Sequence, residues 1–153
     1  DALRHLPADV ELLIAGEGPL LGDLCAIAAP FGDRVVFAGQ LQTIGALLAS
    51  ADCFVQPSLD EALGGAVIEA MAAGSRVVAT SVGGLPELVD TTGEVCAPND
   101  SRALAAAILV SLSQPAGRGL ARAERFSVAK MVEQTSAIYE SSFKPAGANS
   151  VGP

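Results

Sequence analysis

Pro57-Ser58-Leu59-Asp60-Glu61-Ala62-Leu63-Gly64-Gly65-Ala66-Val67-Ile68-Glu69-Ala70-Met71-Ala72-Ala73-Gly74 decides how this chain folds. Before it, Asp52 to Gln56 has the length and apolar content of a strand, and Pro57 closes that strand because it cannot donate to a ladder. The Gly64-Gly65 pair turns the backbone, and a helix is predicted from about Gly65 to Ala73, with Gly74 as its C′ residue. The first N–H groups of such a helix lack intrahelical acceptors and sit at the positive end of its dipole, which suits an anion. Glu61 and Glu69 flank the turn and supply acceptors for hydroxyls, so the stretch combines what is needed to hold a phosphorylated sugar. A bland alternative for Glu69 exists, since the helix dipole alone favours acids in the first turns. Against it, Glu69 is the only charge between Ala62 and Gly74, and an ionised group in an otherwise apolar helix is best explained by a polar cleft.

The strands and helices on either side follow one another in alternation. Residues 10–15, 34–38, 76–80 and 94–96 read as further strands, and 20–29, 86–89, 102–113 and 114–124 as helices. Thr43 is expected to cap a helix over 44–50, and Ser101 the helix that follows it. Ser127 opens a last helix whose apolar residues Val128, Met131, Val132, Ile138, Tyr139 and Phe143 keep a helical period. Residues 1–8 read as a helix end or linker. Buried strands alternating with helices imply right-handed βαβ units and a mostly parallel sheet, a Rossmann-like three-layer α/β/α domain over 1–143, with 144–153 as a disordered tail. Ligands of such sheets bind at the carboxyl ends of the strands, which places the central stretch on the binding edge.

At 153 residues, 50% hydrophobic and 4% aromatic, the chain suits one domain of closely packed helices and sheet. The longest uncharged apolar run, Ala103 to Ser113, falls short of the ~20 residues of a membrane span, and the first residues do not form a secretory signal, so a cytoplasmic location is expected. Cys25, Cys53 and Cys96 are too far apart for a zinc site and are read as buried free thiols. A net charge of −8 argues against nucleic acid and anionic membranes. It also leaves a diphosphate to be held by backbone N–H groups, by a local cation, or by something outside the chain.

Glu61 and Glu69, separated by seven residues around a glycine and ending in Glu69-Ala70-Met71-Ala72-Ala73-Gly74, resemble the signature of retaining glycosyltransferases of the two-domain GT-B architecture, the "group 1" family. The resemblance extends over residues 10–140 through Ile14-Ala15-Gly16-Glu17-Gly18-Pro19, Val36-Phe37-Ala38-Gly39, Ala51-Asp52 to Pro57-Ser58, Arg76 to Thr80, and Gly83-Gly84-Leu85-Pro86-Glu87. It implies a nucleoside-diphosphate-sugar site in the C-terminal half of such an enzyme. Glu61 would meet the donor sugar as the catalytic carboxylate, and Glu69 the ribose hydroxyls. The Gly64 and Gly65 backbone would approach sugar and diphosphate, and Gly39, Gln40 and Leu41 would lie against the base. The resemblance implies no metal or cofactor. It implies as partners the donor and an N-terminal acceptor domain or separate chain.

Departures from the family are informative. Ala62-Leu63-Gly64-Gly65-Ala66 stands where members usually have Gly-Phe-Gly-Leu-Pro, so the sugar-facing loop is expected to be reshaped. Members also carry an earlier strand whose loop bears an Arg and a Lys that clamp the diphosphate. Without that strand the sheet would lack its middle, so either residues 10–15 pair directly with 52–55, or the open edge is completed by another chain. Transfer by this chain alone is then expected to be weak. The alternative is a non-catalytic nucleotide-sugar-binding module, and a glycosidase using the two carboxylates is the weakest reading. Outside the stretch, Glu17 reads as a solvated turn residue, His5 as a surface residue, and Arg34 and Arg76 as solvated charges. Gly83-Gly84 reads equally as a mobile loop or a tight turn.

Overall fold

A computed structural model describes residues 1–143. Its strands are β1 (Leu12–Ala15), β2 (Val35–Gly39), β3 (Cys53–Gln56), β4 (Arg76–Thr80) and β5 (Glu94–Cys96). The helices are α1 (Leu21–Ala28), α2 (Gly45–Ser50), α3 (Gly65–Ala72), α4 (Leu85–Val89), α5 (Ser101–Ser113), α6 (Leu120–Glu124) and α7 (Val128–Ser142). Every strand pairing is parallel, and the order is β1-β2 in one sheet and β3-β4-β5 in another. Residues 144–153, expected to be a disordered tail, lie outside the described residues.

The larger sheet carries the core. β4 is buried almost throughout, as a central parallel strand should be. Its Val77 and Ala79 join Val67, Ala70 and Met71 of α3 and Leu85, Leu88 and Val89 of α4 in one apolar cluster. Val78 and Thr80 point to the other face, where α5 packs with Ala105, Ile108 and Ser111 buried. Helices on both faces of this sheet make the expected three layers.

β1 and β3 do not pair among the described residues, so the direct-pairing arm of the sequence expectation fails. The consequence is visible on β1. Leu12 and Leu13 project to opposite faces, yet they are 40% and 45% exposed, so the strand predicted to be buried is open on both sides. The segment before it is held instead by Arg34, whose Nε donates to Val10 O at 3.0 Å and whose Nη2 donates to Pro7 O at 2.7 Å.

Arg34 is therefore a clasp rather than a solvated charge. Arg76 is another: its Nε donates to the Gln114 carbonyl at 2.7 Å and its Nη1 to that of Asp52 at 3.1 Å. The helix predicted over 114–124 shrinks to α6, because Gly117 has φ +79° and Gly119 lies so close to Met71 that a Cβ there would be 2.6 Å from Met71 Cγ. Asp100, not Ser101, caps α5, its Oδ1 accepting from Arg102 N and Ala103 N at 3.0 and 2.9 Å. No side chain caps α2, so Thr43 is not its cap. Cys25 is exposed, against the expected burial, while Cys53 is half-buried and Cys96 buried.

Candidate functional site

The stretch folds as its sequence dictates. β3 ends before Pro57, Gly64 takes φ +84° as the N-cap of α3, and Gly74 (φ +82°) stops the helix. Ser75 N–H then bonds Ala70 O at 3.0 Å and Gly74 N–H bonds Met71 O at 3.1 Å, the double closure of a Schellman motif. Gly64 is required twice over, for its φ and because a Cβ there would lie 2.5 Å from Leu85 Cδ2.

Glu61 is held at both oxygens. The Gly64 N–H donates to its Oε1 at 3.2 Å, and Gln56 Nε2 donates to its Oε2 at 3.2 Å. The same Gln56 nitrogen donates to Ser58 Oγ at 2.8 Å. Thr80, from the neighbouring strand, donates to the Ser58 carbonyl at 2.6 Å. Below this loop runs the turn between β4 and α4. A Cβ on Gly83 (φ +50°) would overlap the Glu61 carbonyl oxygen, and one on Gly84 would sit 2.8 Å from Ala62 O. Gly83-Gly84 forms the strand-to-helix turn from β4 into α4, and it is the seat on which the carboxylate loop rests.

At the start of α3, Val67 N–H and Ile68 N–H both bond Gly64 O, at 2.9 and 3.3 Å. The N–H groups of Gly65 and Ala66 have no acceptor among the described residues. Ala62, Leu63, Gly65 and Glu69 are exposed. No hydrogen bond or ion pair among the described residues engages the Glu69 side chain. The result is a braced carboxylate, free backbone donors and a second free carboxylate within one loop and the helix it feeds, suited to a polyhydroxyl ligand with an anionic group.

Gly39, Gln40 and Leu41 lie elsewhere, at the end of β2 on the smaller sheet. Gly39 (φ +64°) accepts the Gly16 N–H at 2.7 Å, and Glu17 Oε1 is 3.7 Å from the position of a Cβ on Gly39. No hydrogen bond or ion pair among the described residues connects these three to the central stretch. The candidate residues thus form two groups, one on each sheet. Gln56, Ser58 and Thr80 escaped the sequence reading; the one signal available was a carboxamide and a hydroxyl on either side of the strand-ending proline.

Several cations are engaged elsewhere. Arg118 donates to Thr91 O at 2.6 Å and lies 3.8 Å from Glu94, and Arg122 donates to Leu88 O at 3.1 Å and pairs with Asp90 at 3.3 Å. No Arg or Lys among the described residues bonds to the candidate residues. Nor do three His, Cys, Asp or Glu side chains among them gather as a metal site. No helix there is long and apolar enough to cross a membrane. The Cys53 thiol is pushed up from its ordinary value, chiefly by burial, although Ser111 and Arg76 oppose the shift.

The family model described as "Glycosyl transferases group 1" matches residues 1–114. The chain is 39% identical over 117 residues to the 2-deoxystreptamine glucosyltransferase of Streptomyces kanamyceticus, a match covering 71% of this chain and 30% of that protein. It is 41% identical over 100 residues to O-antigen chain mannosyltransferase B of Escherichia coli, covering 61% of this chain and 26% of that one. Among solved structures, Anabaena Alr3699/HepE in complex with UDP superposes with a TM-score of 0.85 at 28% identity, over 92% of this chain and 43% of that chain. The same protein with UDP-glucose gives a TM-score of 0.82 at 29% identity, with the same coverage. This chain therefore spans less than half the length of these relatives.

Proposed function

The chain belongs to the group 1 glycosyltransferases and has the parallel α/β fold of one half of the GT-B architecture, and on that premise we propose that it is the donor-binding part of an enzyme that transfers a sugar from a nucleoside-diphosphate sugar to an acceptor. The observation that carries this reading is the Glu61 carboxylate, fixed at both oxygens beside the free N–H groups of Gly65 and Ala66. Glu61 is assigned to the sugar as the catalytic carboxylate and Glu69 to the ribose hydroxyls. Ala62 and Leu63 form the sugar-side rim, and Gly39, Gln40 and Leu41 receive the base.

In the transfer we envisage, the bond between the anomeric carbon and the diphosphate oxygen breaks, and the acceptor hydroxyl oxygen bonds to that carbon with retention while its proton passes to the leaving diphosphate. The leaving diphosphate gains negative charge, and the helix N–H groups are placed to stabilise it as it does. No metal is assigned a role, so a chelator is expected to leave donor binding unchanged. The acceptor site is assigned to a further domain or chain, and so is a strand filling the gap between β1 and β3. Free thiols suit a reducing compartment, and we put the reaction in the cytoplasm.

A second reading, a binding module without catalysis, is favoured by one observation: no cation among the described residues engages the candidate site. Equilibrium dialysis with labelled UDP-glucose and GDP-mannose, followed by assay of sugar release, tests the donor site that both readings share and the need for a partner. Retention with little release is expected from the 153-residue chain. Robust transfer would contradict the need for a partner, and retention of neither donor would count against the donor-site reading.

A further inference from the structure

We propose that Gln56 is a positioning residue for the sugar end of the pocket, holding Glu61 and Ser58 in one arrangement. The proposal rests on the donor-binding reading for its consequence but not for its geometry. Gln56 is the last residue of β3 and half-buried, so its backbone is fixed by the ladder to Ala79 of β4. Both hydrogens of its Nε2 are committed, one to Ser58 Oγ at 2.8 Å and one to Glu61 Oε2 at 3.2 Å. A carboxylate only accepts, so the amide must turn its nitrogen toward Glu61, and this orientation is imposed by charge.

Two consequences follow for a ligand. Ser58 Oγ, having accepted from Gln56, keeps its own hydrogen to donate. Glu61, with one donor on each oxygen, keeps a lone pair on each to accept from sugar hydroxyls. The site thus offers a fixed pattern of acceptors with one donor, set by a residue that need not touch the sugar. The side chains of Leu63 and Ala62 at the rim carry no polar group, so the Gln56–Ser58–Glu61 cluster supplies hydroxyl-binding side-chain groups beside the free N–H groups of Gly65 and Ala66. Gly83, Gly84 and Thr80 fix the backbone of the same loop, whereas Gln56 fixes its side chains.

The test uses Gln56→Met, which keeps length and removes the donor, with UDP-glucose and UDP as probes. Calorimetry should show UDP-glucose binding weakened about tenfold, the size of a lost hydrogen bond to a charged group, while UDP affinity stays within about twofold. NMR supplies a reading independent of any ligand. The Gly64 amide proton, bonded to Glu61 Oε1, should move in Gln56→Met toward its position in Glu61→Gln, while the amides of Val89 and Ala105 stay fixed.

A Gly64 amide unmoved in Gln56→Met would overturn the proposal, as would equal weakening of UDP and UDP-glucose. If neither probe binds the wild type, the donor-binding reading fails, and the Gly64 signal alone decides the role of Gln56. Should Gln56→Met fail to fold, the two Nε2 protons of Gln56 in the wild type decide it. They should resonate away from free-amide values, and the one bonded to Glu61 should return to them in Glu61→Ala while the one bonded to Ser58 stays shifted; free-amide values for both in the wild type would overturn the proposal.

Discussion

Glu61 acts through its neighbours, because a carboxylate on a glycine-rich loop has value as a ligand only if the loop keeps one shape. Gly83 supplies that shape from below. Any side chain there needs an unfavourable positive φ and overlaps the Glu61 carbonyl, so Gly83→Ala should both destabilise the fold, by roughly 2–4 kcal/mol, and displace the carboxylate. Thermal unfolding checks the first effect and binding of UDP-glucose the second. Gly22, which has open space around its Cβ position, serves as the control. A Gly83→Ala protein as stable as wild type would show that the seat is not tight.

The cysteines give a second residue-scale test. Burial raises the thiol values of Cys53 and Cys96 above the ordinary 9.0, whereas Cys25 is exposed. Thiolate is the reactive form, so iodoacetamide at pH 7.5 should label Cys25 first. The stability side has a definite sign. A thiol whose folded value lies above its unfolded value favours the folded state fully at pH below the unfolded value and loses that contribution as pH rises through the folded one. Stability should therefore fall above about pH 9, and a Cys53→Ala, Cys96→Ala double variant should lose less over that range.

At the scale of elements, legibility followed the physics of what each segment packs against. α3 was readable to within a residue because its signals are local: a strand-ending proline, a glycine pair, a C′ glycine. The cap of α5 was misplaced by one residue, since Asp100 and Ser101 are both competent caps and only the backbone angles choose between them. Residues 114–119 were misread because a turn held by Gly117 and Gly119 against Met71 leaves no periodic trace. The carbonyl partners of Arg34 and Arg76 are distant in sequence, so no local pattern distinguishes these clasps from solvated charges.

β1 was placed correctly as a strand, but its surroundings were not, because burial depends on a neighbour. With one paired edge and both faces open, β1 and β2 should open locally far more often than β3 and β4. Hydrogen exchange of the native protein is expected to protect Val55, Val77 and Val78 most, and Leu13 and Ile14 at least tenfold less. Equal protection across both sheets would contradict the open edge.

For the whole molecule, the order of strands and helices and the parallel pairing followed from alternation and turn residues. Division of the sheet in two is one of the two outcomes expected of a sheet without its middle strand, and the choice between them is a relation between β1 and β3 that neither strand encodes. The same holds for α7. Its period was legible, yet its apolar residues are exposed, Val128 at 72% and Phe143 at 77%, so the stripe identifies a helix without identifying what it packs on. The candidate site was legible in its carboxylates and glycines and illegible in its braces, Gln56, Thr80 and Gly83, which act from other strands and turns.

The central claim, that Pro57 to Gly74 holds a nucleotide sugar with its two carboxylates in different roles, is most directly tested by calorimetry. UDP and UDP-glucose are titrated into wild type, Glu61→Ala and Glu69→Ala. Glu69→Ala should weaken both ligands about tenfold or more, and Glu61→Ala should remove only the extra affinity for UDP-glucose. Equal UDP affinity in wild type and Glu69→Ala would contradict the assignment.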